Sequence, residues 1–160
     1  MPNLWKRAVC VDASFLIQLM THGQYVAKAA ALWRIWHTDG TVVLAPTLIL
    51  YEINNVLYQQ VKAGYLRSEE ATQVLEKAMA LEIKLYGDAP LHHRALRMAQ
   101  EFSLAAAYDA HYLALCERLD ADFWTADKRL YNSVHEALPW VYLLQESEAD
   151  CHLPEDAIPT

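Results

Sequence analysis

Short apolar runs alternate with longer stretches of helical periodicity along the whole chain. A brief apolar run bounded by polar or turn residues indicates a buried strand, whereas apolar residues spaced three and four apart indicate an amphipathic helix. Strands are predicted at 8–11, 41–45, 81–85, 122–125 and 140–144. Helices are predicted at 14–20, 25–37, 48–62, 91–102 and 108–119, with one more beginning at Ser68. This alternation predicts an α/β protein: a three-layer α/β/α fold with a central, mostly parallel sheet of about five strands.

Polar and flexible residues are expected to mark the ends of these elements. Ser14 is predicted to cap the first helix and Ser68 a later one, because a hydroxyl accepts a hydrogen bond from a free backbone N–H. Gly64 is expected to end the helix at 48–62. The phrase at 87–90, Gly-Asp-Ala-Pro, is predicted to be a turn.

Length and composition indicate one domain. The chain has 160 residues, 54% of them hydrophobic, and no linker rich in Gly, Pro or Ser divides it. A domain at 1–146 is expected, with a C-terminal tail at 147–160. The apolar stretches are much shorter than the roughly 20 residues of a membrane-spanning helix, and the N-terminus lacks the apolar core of a signal peptide. A cytoplasmic protein with no membrane span is therefore expected.

The cysteines and the net charge exclude some classes of function. Cys10, Cys116 and Cys151 are widely spaced, without the pairing typical of zinc sites, and the first two are predicted to be simple buried thiols. A net charge of −7 counts against general nucleic-acid binding, because phosphates are usually contacted by Lys and Arg. The objection weakens if a cluster of carboxylates holds a divalent cation, since the ion reverses the local charge.

Four acidic residues follow apolar strands or lie on helices that meet the same edge of the predicted sheet. They are Asp12, Glu52, Asp109 and Asp127. The carboxyl ends of parallel strands form the edge where open α/β sheets bind ligands. Carboxylates gathered there repel one another, and a hard cation with oxygen ligands would relieve the repulsion.

Each acid also has a purely structural interpretation. Asp109 and Asp127 are favourable near helix N-termini, and Glu52 taken alone fits a solvated helix position. Asp12 is harder to explain this way, because it directly follows an apolar strand. Asp120 and Asp122 lie in a predicted helix-to-strand turn, where Asp is common, and are expected to be unrelated to the site.

Four phrases of the chain resemble PIN-domain nucleases, and most closely the toxin half of a VapBC-type toxin–antitoxin pair. The phrases are Val-Asp-Ala-Ser at 11–14, Pro-Thr-Leu-Ile-Leu-Tyr-Glu-Ile-Asn-Asn-Val-Leu at 46–57, Tyr-Asp-Ala-His-Tyr-Leu-Ala-Leu at 108–115 and Trp-Thr-Ala-Asp at 124–127. Each is a weak motif alone, but their order and spacing across 8–144 are specific. The resemblance implies a metal-dependent RNA endonuclease. Its acidic positions fall on the four acids, and its hydroxyl positions fall on Ser14 and Thr125.

Oxygen-only ligands favour Mg²⁺ or Mn²⁺ over zinc. We expect Asp12 and Asp109 to bind the ion directly. Glu52 and Asp127 are expected to be further ligands, water-mediated contacts or the base that takes a proton from water. Lys128 and Arg129 are candidates for contact with a substrate phosphate.

The resemblance also implies partners: an RNA substrate, a small antitoxin and a second copy of the chain in a homodimer. Four aromatic residues fit either a groove for such a partner or ordinary core packing: Trp33, Trp36, Tyr58 and Tyr65. His92 and His93 are expected to be a surface pair away from the acids, while His111 fits either a helix surface or contact with substrate.

Two other functions stay open from sequence. A phosphate-handling α/β domain of the receiver or phosphohydrolase type also gathers Asp at a sheet edge, but it generally has a Lys near the pocket or Asp-x-Asp after the first strand, where this chain has Asp12-Ala13-Ser14. The other alternative is an inactive PIN-like binding module, which four intact acids disfavour.

Overall fold

The computed structural model describes residues 7–145. The strands are β1 (Ala8–Val11), β2 (Val42–Pro46), β3 (Lys84–Tyr86), β4 (Asp122–Thr125) and β5 (Val141–Leu143). The helices are α1 (Ala13–Met20), α2 (Val26–Thr38), α3 (Leu48–Lys62), α4 (Ser68–Ala80), α5 (Ala89–Glu101), α6 (Ala107–Leu119) and α7 (Lys128–Val134). Cys151 and the predicted tail at 147–160 lie outside the described residues.

The five strands form one sheet in the order β3-β2-β1-β4-β5, and every neighbouring pair is parallel. Cys10 in the middle of β1 pairs with Leu44 of β2 on one side and Phe123 of β4 on the other. The chain runs outward from β1 through β2 to β3 and then returns to the opposite side of β1 for β4. Strand order therefore reverses at β1. Open α/β sheets usually bind ligands in the crevice at the carboxyl ends of the strands where the order reverses.

The helices pack in two groups. In one group α5 packs on α6, which crosses β1, β2 and β4; in the other, α1 contacts α2, α3 and α4. Both groups contact the sheet, so the predicted three-layer α/β/α fold is confirmed. Because both faces of the sheet are covered, central strands are apolar throughout, and Val9, Cys10 and Val11 are at most 2% exposed.

Several predicted boundaries need correction. Asp12, not Ser14, caps α1, and its side chain accepts a hydrogen bond from the Phe15 amide. Ser68 is the first residue of α4, so it does not cap that helix. The predicted turn at 87–90 is half wrong, because Ala89 and Pro90 already belong to the first turn of α5, where Pro is well accommodated.

Most of the buried aromatic and sulfur-containing side chains pack in the hydrophobic core. Trp36 is 6% exposed and packs against Phe15, whereas Trp33 is only partly buried. Cys10 and Cys116 are free, buried thiols as predicted, and burial raises the pKa of Cys10 well above its usual value. Within residues 7–145, no helix combines the length and apolar character needed to cross a membrane.

Candidate active site

Asp12 lies at the point where strand order reverses, directly after β1, and its carboxylate is held by three hydrogen bonds. Oδ1 accepts from the Ser14 hydroxyl at 2.6 Å and from the Phe15 amide at 3.0 Å. Oδ2 accepts from the Thr125 hydroxyl at 2.5 Å. A carboxylate has about four lone-pair positions, so this arrangement fixes the group and leaves room for one more contact.

Ser14 and Thr125 connect the ends of β1 and β4. The Ser14 hydroxyl accepts from the Ala126 amide at 2.8 Å, and the Thr125 hydroxyl accepts from the Asp127 amide at 3.0 Å. Thr125 is fully buried. The hydroxyls therefore orient Asp12 while they set the backbone that carries Asp127, which fits the positioning role expected of both residues.

Glu52 lies on α3, one turn beyond its start, and its partner comes from α6. Glu52 Oε1 accepts a hydrogen bond from the Tyr112 hydroxyl at 2.8 Å. Tyr112 is 1% exposed and its ring stacks on Phe123 of β4. Burial, reinforced by the charge of Glu52, raises the pKa of Tyr112 above its usual value, so the phenol remains a donor.

Asp109 and Asp127 differ in the hydrogen bonds that their carboxylates accept. Asp127 caps α7, with Oδ1 accepting from the amides of Arg129 at 2.9 Å and Leu130 at 3.1 Å. Asp109, in the first turn of α6, has no side-chain hydrogen bond or salt bridge to any residue between 7 and 145. Its carboxylate is therefore the one most available to an ion, while Asp127 has a structural role as well.

Burial and mutual repulsion shift the acids toward their neutral forms. Burial raises the pKa of Asp12 from its usual 3.8 to about 6, despite the stabilising hydrogen bonds and with a further contribution from Asp109. Burial likewise raises the pKa of Glu52 from 4.5 to about 7, with Asp12 and Asp109 adding to the shift. The pKa of Asp109 is raised by burial and by the charge of Asp127, while Arg129 opposes the shift.

The charges of Asp12 and Asp109 act on Glu52, and that of Asp127 acts on Asp109, so the four carboxylates lie near one another at this edge of the sheet. The donors are all oxygens, and none of the four acids forms a salt bridge within the described chain. The donor set therefore fits a hard divalent cation. In the conformation described for residues 7–145, no three His, Cys, Asp or Glu side chains are close enough together to hold an ion. Binding of an ion there would require the carboxylates to move closer together.

The two basic candidates are exposed at the start of α7. Lys128 is the first residue of that helix, directly after Asp127, and Arg129 is near enough for its charge to act on Asp109. Asp122, by contrast, lies at the opposite end of β4 and pairs with Arg7 at 2.9 Å. The expectation that Asp122 is separate from the site agrees with this placement.

Two site features were not predicted from sequence. Tyr112 follows Asp109 by three residues, one helical turn, and that spacing could have indicated that both face the acids. The second feature is a contact between His92 Nδ1 and His111 Nε2 at 3.0 Å. His92 was expected to be a surface residue away from the acids; it is exposed, but it contacts a residue only two positions from Asp109.

Comparison with known proteins agrees with this geometry. A curated relative, Ribonuclease VapC3 from Pyrobaculum aerophilum, is 31% identical over 85 residues, which cover 52% of this chain and 64% of the relative. The alignment thus spans less than two thirds of that protein. The crystal structure of PAE2754 from Pyrobaculum aerophilum is 27% identical, with a TM-score of 0.61 and coverage of 80% of each chain. A toxin–antitoxin complex from Klebsiella pneumoniae shares the fold at 17% identity and a TM-score of 0.60, covering 87% of this chain and 99% of the other.

The family model described as PIN domain matches residues 9–134, a span that begins in β1, ends in α7 and contains all four acids. The order of strands, the reversal at β1 and the acids at its carboxyl end agree with that match. This chain belongs to the PIN domain family.

Proposed function

We propose that this protein is a metal-dependent endoribonuclease that cleaves RNA phosphodiester bonds with Mg²⁺ or Mn²⁺. The observation that carries the proposal is the group of carboxylates without cationic partners at the reversal of strand order. Holding acids there without counter-charges costs stability, and a bound divalent cation would offset that cost. The curated relative named Ribonuclease VapC3 supports the same conclusion.

Asp12 and Asp109 are the proposed direct ligands, because the Asp109 carboxylate has no side-chain hydrogen bond or salt bridge within residues 7–145, and the Asp12 carboxylate, although held by three hydrogen bonds, has a lone-pair position left for one more contact. Glu52 and Asp127 complete the site as further ligands or through water. When bound, the cation would lower the pKa of a water molecule and stabilise the charge that develops on the phosphate.

Glu52 is also the best candidate for a base in this proposal. Its pKa of about 7 places proton uptake near neutral pH, and only one of its oxygens contacts Tyr112. Lys128 and Arg129 are proposed to contact a phosphate of the RNA strand, since both are exposed beside Asp127.

We extend the proposal to a toxin inhibited by a small antitoxin and acting in the cytoplasm, where its RNA substrate would be. The toxin–antitoxin complex with the same fold supports the first part. A basic or aromatic antitoxin side chain entering the acidic site would inhibit cleavage by occupying the position of the ion or phosphate.

A homodimer is the remaining part of the proposal. A shallow groove of about 560 Å³ lies along α3, lined by Leu50, Tyr51, Tyr58 and Leu85 among others. Tyr51 is 76% exposed and Tyr58 61% exposed, so the surface is unusually aromatic for solvent contact. Tyr65 is outside this groove and Trp36 belongs to the core, so only part of the predicted aromatic set supports a partner surface.

The test is RNA cleavage by chelator-treated protein after addition of single ions. Mg²⁺ and Mn²⁺ should each restore cleavage, whereas Ca²⁺ should restore little, because its looser coordination orients water less strictly. Full cleavage in excess chelator would contradict a metal-dependent site. His111 with Lys128, acting as acid and base on the RNA 2′-hydroxyl, would then be the alternative to test.

A further inference from the structure

A small pocket lies at the starts of α3 and α6. Its volume is about 210 Å³, and its lining includes Thr47, Tyr86, His92, Tyr108 and His111. Thr47 directly precedes α3, the helix that carries Glu52. Tyr108 and His111 flank Asp109 on α6. The pocket therefore shares the beginnings of α3 and α6 with the acidic site.

Helical geometry places the pocket and the acids on neighbouring stripes of α6. Residues three apart share a stripe, so Tyr108 and His111 form one stripe, and Asp109 and Tyr112 form the next. The Tyr112 hydroxyl donates to Glu52, which shows that the second stripe faces the acids. A group in the pocket would thus be beside a group bound at the acids.

The walls of the pocket are suited to a flat aromatic ligand. The ring of Tyr108 is 64% exposed although it is a large aromatic, and Tyr86 contributes a second ring. Gly87 also lines the pocket, and its backbone approaches Thr47 so closely that a Cβ on Gly87 would be 2.8 Å from Thr47 Oγ1. Any larger residue at position 87 would therefore displace Thr47.

The two histidines give the pocket a hydrogen-bond acceptor. His111 Nδ1 contacts the Ala107 carbonyl at 2.8 Å, and a carbonyl only accepts, so Nδ1 carries the proton. In the neutral ring, His111 Nε2 then accepts from His92 Nδ1 at 3.0 Å. This leaves Nε2 of His92 without a proton, as an acceptor for an N–H group of a ligand.

We propose that this pocket holds one unpaired nucleobase of the RNA strand, next to the phosphodiester bond at the acids. Unpaired bases are bound in proteins by stacking on aromatic side chains and by hydrogen bonds to their edges, and the pocket offers both. Tyr108 stacks with the base, and the histidine pair accepts a hydrogen bond from its edge. The inference rests on the proposed ribonuclease function and adds a base-binding subsite to it.

The test measures binding of a short single-stranded RNA in Ca²⁺, with one abasic nucleotide moved along the strand. At one position near the cleaved bond, loss of the base should weaken binding about five- to 150-fold, the range expected for one lost stack. Tyr108→Ala should weaken binding of the intact RNA by a similar factor. In the abasic RNA, Tyr108→Ala should cause no further loss of binding, because the base that Tyr108 stacks on is already absent.

Matched variants separate the pocket from general damage. Tyr108→Phe should bind RNA as well as the wild type does, since the ring remains. Tyr65→Ala should also leave binding unchanged, because Tyr65 is 82% exposed and outside the pocket. His92→Ala should weaken binding severalfold, while His93→Ala, its exposed neighbour, should not. Thermal unfolding of each variant shows whether it is folded.

The possible failures are distinguishable. If RNA is bound and cleaved normally but the Tyr108→Ala and abasic effects are additive, or no abasic position matters, the base subsite is wrong and the ribonuclease proposal survives. If the wild-type protein neither binds nor cleaves any RNA, both proposals fail.

Discussion

The carboxylates at the end of β1 and those on the outer surface of α5 and α6 have opposite electrostatic surroundings. On the outer surface, Asp88 accepts two hydrogen bonds from Arg118 at 2.7 and 2.9 Å, and Glu117 accepts two from Arg94 at 2.6 and 2.8 Å. The hydrogen bonds from Arg118 lower the pKa of Asp88 to about 2. At the end of β1, Asp12 is buried without a cation and its pKa is raised to about 6.

The contrast supports the roles proposed for the acids at the end of β1. An exposed acid paired with arginine keeps its charge at little cost and contributes little to stability. A buried acid without a counter-charge destabilises the fold, and it is explained if an ion or substrate supplies the missing charge.

The largest effect should come from removing single charges at the site. Asp109→Asn and Asp127→Asn should each lower RNA cleavage by at least about a hundredfold, because each removes a carboxylate from the ion site. Asp122→Asn is the matched control, since it changes an Asp on β4 that is paired with Arg7, and it should cleave RNA at close to the wild-type rate. A comparable loss in Asp122→Asn would mean that the site is elsewhere.

The second prediction concerns the pH dependence of stability. Asp12 and Glu52 bind protons more tightly in the folded state than in the unfolded state, so the free energy of unfolding of the metal-free protein should fall as pH rises from about 4 to 7. For Asp12 the difference is on the order of 3 kcal/mol. Denaturant unfolding in the presence of chelator, at several pH values, measures the slope of the unfolding free energy against pH.

Asp12→Asn should flatten that slope by removing one of the titrating groups. Asp88→Asn is the control, because the lowered pKa of Asp88 contributes stability that is lost only as pH falls from about 4 toward 2. An unchanged slope in Asp12→Asn would show that the folded state does not raise the pKa of Asp12.

A smaller effect is expected at Tyr112. Tyr112→Phe keeps the buried ring but removes the hydrogen bond to Glu52, so Glu52 would be less well positioned. Cleavage should fall about tenfold, the cost of one hydrogen bond to a charged group. Measuring kcat and KM separately tests this role, because a positioning effect on Glu52 should appear mainly in kcat. A loss confined to KM would contradict it.

The smallest effect is expected on the outer surface. Glu117→Gln removes the charge partner of Arg94 but exposes no buried group, and Arg94 still contacts Glu101 at 2.9 Å. The free energy of unfolding should change by less than about 1 kcal/mol, and RNA cleavage should be unaffected. A larger loss of stability would show that the α5–α6 ion pairs are more important to the fold than their exposure indicates.

The elements that position the acids were predictable because their sequence signals are local. β1, β4 and α3 have the predicted bounds, and the alternation of apolar runs and helices indicated the parallel sheet. α7 was not assigned as a helix, and β3 is shorter than predicted and starts later, at Lys84. As an exposed edge strand, β3 has weak apolar patterning, which explains the error.

Contacts between distant elements were beyond sequence reasoning. The four acids could be assigned to one sheet edge, but the pairing of Glu52 with Tyr112 depends on how α3 and α6 pack. Asp12 capping α1 was also missed, because Ser14 is an equally good capping residue by type. The Ser14 hydroxyl instead donates to Asp12 and accepts from the Ala126 amide. The second hydrogen bond forms only when β4 lies beside β1.

The most direct test of the account is thermal unfolding of wild-type and Asp12→Asn protein with and without Mn²⁺. Without the ion, Asp12→Asn should melt at or above the wild-type temperature, because it removes a buried, unpaired charge. Mn²⁺ should raise the melting temperature of the wild type by binding only its folded state, and should raise that of the variant far less. Equal shifts in the two proteins, or full RNA cleavage by folded Asp12→Asn, would contradict the claim that these carboxylates form a catalytic metal site.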